Sequence, residues 1–86
     1  MNQTPTEELE TRVRSFITNN FHVAGSAVLG RDVSLLDTGI VDSTGFLEIF
    51  SWLKEDFGVV VDDREMNPDN FETVAKIAAY IGRKQG

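Results

Sequence analysis

The ten residues Leu36-Asp37-Thr38-Gly39-Ile40-Val41-Asp42-Ser43-Thr44-Gly45 decide how this chain is read. They join a stretch without regular periodicity to one of strong helical periodicity, with Asp and Ser at the junction. Both residue types start helices, because a short side-chain oxygen accepts from a free N–H of the first turn. Downstream, Phe46, Ile49, Phe50, Leu53 and Phe57 fall within one sector at about 100° per residue, which predicts a helix over Ser43–Phe57. Thr44, Glu48, Ser51 and Glu55 take the opposite face, and Trp52 stands among them, between Glu48 and Asp56. Gly58 is placed to end the helix.

On the N-terminal side, Leu9, Val13, Phe16 and Ile17 recur at helical spacing and predict a first helix ending near Asn19-Asn20. Thr4-Pro5-Thr6-Glu7 fits a capping box with Pro at the first helical position. Glu8 with Arg12 and Glu10 with Arg14 stand four apart in the favourable order and are expected on the solvated side. From Phe21 to Asp42 no period holds. A strand at 26–29 would lack a partner, so one long loop is expected, anchored by Val28, Leu29, Val33, Leu35 and Leu36. A loop of that length in a compact domain is often functional. Beyond Gly58, residues 59–61 are expected as a loop tucked into the core, 62–66 as a single turn, and Asn67-Pro68 as a break. The last helix carries Phe71, Val74, Ile77, Ala78 and Ile81 and is expected to end near Gly82-Arg83-Lys84. The expected fold is all-α: a small bundle of three to four helices with a long first loop, in a single domain spanning residues 1–86.

Composition narrows the function. Fourteen acidic residues against eight basic ones give a formal net charge of -6. That sign disfavours nucleic acid and favours partners with basic surfaces. The chain has no cysteine, which excludes disulfides, thiolate metal sites and cysteine nucleophiles. No apolar run approaches membrane-spanning length and the polar start MNQTPTEELE is unlike a secretory signal, so a cytoplasmic protein without membrane insertion is expected. His22 is the only histidine and no nucleophile elbow accompanies it, which leaves no hydrolytic triad. The carboxylate pairs Asp62-Asp63 and Glu7-Glu8 are expected as solvated charge. Asp32 to Asp37 and Asp62 to Asp69 lack the alternating ligands and central glycine of a calcium loop, although Asp62, Asp63 and Glu65 are expected to form a weak cation site. No catalytic residue and no resident metal are expected.

The order of elements, Gly39-Ile40-Val41-Asp42-Ser43, the helix ending Glu55-Asp56-Phe57-Gly58, and the last helix from Thr73-Val74 to Tyr80-Ile81 together resemble the acyl carrier protein family over nearly the whole chain. The resemblance implies a covalent 4′-phosphopantetheine arm, taken from coenzyme A, on Ser43. It implies that Asp42 serves recognition by the phosphopantetheinyl transferase. The new phosphodiester is anionic, and a helix N-terminus favours such a group. The arm holds its cargo as a thioester, so the chain needs no thiol of its own. By the same resemblance Thr44, Glu48, Trp52 and Glu55 are expected to face partners. Those partners are the transferase, an adenylating acyl or aminoacyl ligase, and a downstream acyltransferase or synthase, with the carrier itself a monomer.

Val41 before Asp42-Ser43 and Thr44-Gly45 after it depart from the main fatty-acid carriers and look more like D-alanyl and other specialised carriers. A housekeeping fatty-acid carrier is the alternative within the family. An acidic helical adaptor, with Ser43 a mere cap, is the alternative outside it. Phe46, Phe50, Phe57 and Phe71 are all expected to point inward beside Leu47 and Leu53, leaving no ready channel for a long acyl chain. Trp52 is expected either beneath the 59–61 loop or at a partner contact.

Overall fold

The computed structural model describes residues 5–21 and 29–85. They form α1 (Thr6–Asn20), α2 (Ser43–Phe57), α3 (Pro68–Phe71) and α4 (Val74–Gln85), with a 3-10 turn at Asp63–Glu65 and no strand among the described residues. The all-α expectation holds, and α2 has the bounds expected from its periodicity. Of the strand weighed at 26–29, only Leu29 lies among the described residues; it is buried and irregular.

α1 and α4 form the closest-packed pair. Leu9, Val13 and Ile17 on α1 are fully buried, as are Val74, Ile77, Ala78 and Ile81 on α4. α1 starts one residue later than the capping-box reading places it. Pro5 precedes the helix in an extended conformation, and its carbonyl accepts from Leu9 N at 3.0 Å; no side chain caps this end. Thr4 lies outside the described residues.

Glu10 departs from its expected solvated place. It is buried, and Arg31 donates to its carboxylate from Nε (3.2 Å) and Nη2 (2.8 Å). Arg14, its expected helical partner, donates instead to the Leu29 carbonyl at 2.7 Å. Two side chains of α1 thus clamp the loop that leads to α2. That loop is part of the core, with Leu35 and Val41 fully buried. Its backbone is tied to the C-terminal helices: Leu35 N donates to Glu72 O at 2.8 Å, and Ala75 N donates to Arg31 O at 3.0 Å.

The same bonds explain why the last apolar stripe is two helices rather than one. In a continuous helix Lys76 N would donate to Glu72 O. Leu35 N takes that carbonyl, and Lys76 N turns to Thr73 Oγ1 at 3.1 Å. Phe71 therefore ends α3 and Val74 begins α4, which runs past Gly82 to Gln85. Gly58 stops α2 with a left-handed φ of 68°. After it Val59 and Val61 are buried, while Val60 is exposed. The expected cation site is not assembled. Asp62 Oδ1 accepts from Arg64 N at 2.9 Å, and Glu65 is taken up by Lys84 Nζ (2.9 Å) and the Tyr80 hydroxyl (2.8 Å). No acidic or histidine cluster fit for a metal occurs among the described residues.

Candidate functional site

The start of α2 carries the residues singled out in the sequence. Asp42 is the N-cap: its Oδ1 accepts from Gly45 N at 2.7 Å and its carbonyl accepts from Phe46 N at 3.1 Å. With the cap supplied by Asp42, Ser43 is the first helical residue, exposed, and its hydroxyl has no hydrogen-bond partner among the described residues. The N–H groups of Ser43 and Thr44 are likewise without partners among the described residues. Free first-turn donors and the positive end of the helix dipole suit an anion. A serine-linked phosphodiester therefore fits this position.

Gly45 is a residue whose role the sequence alone did not reveal. Glycine inside a helix costs about 1 kcal/mol relative to alanine. Here it has a steric reason: a Cβ at position 45 would lie 2.7 Å from Phe21 Cε1, 3.0 Å from Val41 Cγ1 and 3.3 Å from Asp42 Oδ1. The visible signal was a glycine in the first turn of a strongly periodic helix.

Beside Ser43 opens a cleft of about 370 Å³. Leu36, Phe46, Phe50, Met66, Pro68 and Phe71 supply its apolar wall, and Asp37, Asn67 and Glu72 its polar part. Phe46 and Phe50, expected to point fully inward, instead line this surface cleft, which the sequence reading did not anticipate. Phe46 and Phe50 are half-buried, and Phe50 meets Phe71 edge-on at 4.9 Å. The reason is length. The fifteen residues of α2 extend roughly 22 Å and the four of α3 roughly 6 Å, so α3 covers only part of the apolar face opposite it. Leu47, expected inside, is 62% exposed on the side of Thr44 and Glu48.

Thr44, Glu48 and Glu55 are exposed on the outer side of α2. Trp52 is half-buried and packs against the core. It stacks on Phe16 at 4.4 Å and meets Phe57 edge-on at 5.2 Å, while Arg12 sits over the Phe57 ring at 4.4 Å. These rings fill the space between α1 and α2, roughly 13 Å along the helix from Ser43.

A bundle that offers a free serine hydroxyl and open N–H donors at a helix start, with an apolar cleft alongside, suits a tethered prosthetic arm. Comparison with known proteins makes this specific. Residues 12–81 match the family described as "Phosphopantetheine attachment site". The acyl carrier protein of Thermotoga maritima is 31% identical over 80 residues, which cover 93% of this chain and 95% of that one. The D-alanyl carrier protein of Abiotrophia defectiva is 30% identical over 53 residues, 62% of this chain and 67% of that one. A solved chain described as "Crystal structure of FAD-dependent dehydrogenase" superposes with a TM-score of 0.71 at 32% identity, covering 80% of this chain and 97% of that one. The chain belongs to the acyl carrier protein family, with similarity to the D-alanyl type. It is a carrier and not an enzyme, and the prosthetic group of its family is a covalently attached 4′-phosphopantetheine. No helix among the described residues is long and apolar enough to cross a membrane.

Proposed function

We propose that Ser43 bears the phosphopantetheine arm, that Asp42 is read by the phosphopantetheinyl transferase, and that the arm passes a short acyl or aminoacyl thioester from an adenylating ligase to a downstream acyltransferase or synthase. The observation that carries this reading is the exposed Ser43 hydroxyl at the first position of α2, without a hydrogen-bond partner among the described residues, with Asp42 already serving as the cap. Modifying Ser43 therefore removes no interaction that the fold uses. Thr44, Glu48 and Glu55 form the face offered to basic partner surfaces, and the uncovered part of Trp52 extends it. The carrier acts as a monomeric single domain in the cytoplasm.

The cleft beside Ser43 supports a short cargo. At about 370 Å³ it stands near the small end of ligand pockets, which span roughly 300–1,000 Å³. Because α3 lines only part of the apolar face of α2, the cleft shelters the start of a thioester on one side, and the rest of a longer chain would project into water at roughly 25 cal/mol per Å². The test is a series of melts on the holo protein and its thioesters of increasing length. The melting temperature rises over the shortest chains and then levels off. A rise that continues through long fatty acids would favour the housekeeping fatty-acid carrier, and no rise at any length would remove the cleft from cargo holding.

A further inference from the structure

The first turn of α2 rests on the end of α1 through a contact that does not involve the serine. Phe21 directly follows α1, and its N–H donates to Ile17 O at 2.8 Å, which ties its backbone to the helix end. Its ring is braced by Phe16 at 6.2 Å, edge-on, and Phe16 in turn stacks on Trp52. The ring is seated on Gly45, where a Cβ would come within 2.7 Å of Phe21 Cε1. Carbon atoms in contact stand about 3.5–4.0 Å apart, so this seat exists only for glycine. The N–H of the same glycine holds Asp42 Oδ1 at 2.7 Å. One residue is thus both the seat of the ring and the donor that fixes the cap.

We propose that Phe21 seated on Gly45 is a positioning contact for the modification of Ser43, setting the first turn of α2 so that Asp42 and the serine hydroxyl hold the geometry the transferase acts on. It rests on the reading of Ser43 as the attachment point. The neighbours explain why the turn itself must give way. A Cβ at position 45 is hemmed in by the braced Phe21 ring and by fully buried Val41. Further along, Ile49 and Leu53 anchor the rest of α2 in the core. The displacement therefore falls on the first turn and lengthens the Gly45–Asp42 hydrogen bond. The outer face of α2, where a partner docks, keeps its place.

The experiment uses the full chain with a phosphopantetheinyl transferase and coenzyme A. Intact mass gives the initial rate, and thermal melts show that each variant is folded at the assay temperature. Gly45→Ala is expected to lower kcat between about 10- and 100-fold, the scale of a misplacement near 1 Å, with KM nearly unchanged. Phe21→Leu alone takes the ring off its seat and is expected to lower kcat in the same way, a wild-type rate there overturning the proposal. Combined with Gly45→Ala, whose methyl fills space the ring leaves, it is expected to recover most of the rate. In that background Gly45→Ala should raise the melting temperature, since the helical preference for alanine is then expressed. A folded Gly45→Ala chain modified at the wild-type rate would overturn the proposal. So would a double variant as slow as Gly45→Ala alone. If Gly45→Ala does not fold, the double variant decides: folded and fast supports the contact, folded and slow overturns it. Ser43→Ala runs in parallel, and modification retained there would reject the attachment point rather than the contact.

Discussion

Tyr80→Phe isolates a single hydroxyl in the core, and its effect on stability reverses with pH. Tyr80 is fully buried, and its hydroxyl donates to Glu65 Oε1 at 2.8 Å. Burial first, and the Glu65 carboxylate second, push the phenol up from 10.0 to about 12. At neutral pH the substitution removes a hydrogen bond to a charged acceptor, worth about 1.5 kcal/mol at the low end of such bonds. Glu65 keeps Lys84 at 2.9 Å, so no carboxylate is stranded. The expected loss is about 6–12 °C in melting temperature. The sign changes in alkali. A phenol whose folded pKa is raised contributes its full stability below the unfolded value near 10. That contribution is lost as pH rises through the folded value. Between those limits the wild type loses about 1.4 kcal/mol by pH 11 relative to a chain lacking the phenol. The stability curves of wild type and Tyr80→Phe are therefore expected to meet near pH 11. Urea unfolding of both proteins at pH 7, 10 and 11 measures this, and their difference cancels lysine titration common to both. Parallel curves, or no difference at pH 7, would refute the reasoning.

Other expectations rest on single contacts. Asp42→Ala should cost about 1 kcal/mol through loss of the cap, while Ser43→Ala should stay within about 0.5 kcal/mol; thermal melts separate them. The Glu10 carboxyl is held below its usual range chiefly by its hydrogen bonds to Arg31, against the opposing effect of burial. Its contribution is present above the ordinary carboxylate value and is lost as pH falls through the depressed folded one. The advantage of wild type over Glu10→Gln in urea should therefore be largest at neutral pH and vanish on acidification. Leu35→Ala should cost about 2–5 kcal/mol, as for a buried helix leucine, and Leu36→Ala, at the half-open cleft, less than about 1 kcal/mol. Equal costs in denaturant would show that the loop is not packed as described.

What could be read from the sequence was local. The spacing of Phe46, Ile49, Phe50, Leu53 and Phe57, with Asp42 before and Gly58 after, contains the bounds of α2. Leu9, Val13 and Ile17 similarly contain the buried face of α1. What escaped was set by distant partners. Nothing near Glu10 announces Arg31, and nothing in the last apolar stripe announces that Leu35 will take the Glu72 carbonyl and divide the helix. The cleft was missed for a related reason. Periodicity says which face of α2 turns inward, but not how much surface stands opposite to cover it, and α3 is too short to do so. Asp42 and Ser43 were legible because capping chemistry lies within three residues, whereas Phe21 comes to Gly45 across a loop of more than twenty.

The central claim is that one serine, at the start of α2, carries the arm. Incubation of wild type and Ser43→Ala with transferase and coenzyme A, read by intact mass and by fragment mapping, tests it directly. Wild type should gain a single phosphopantetheine on the fragment containing Ser43, and Ser43→Ala should gain none while melting almost as wild type does. Phosphopantetheine on Ser15, Ser26, Ser34 or Ser51, or any gain by folded Ser43→Ala, would contradict the account.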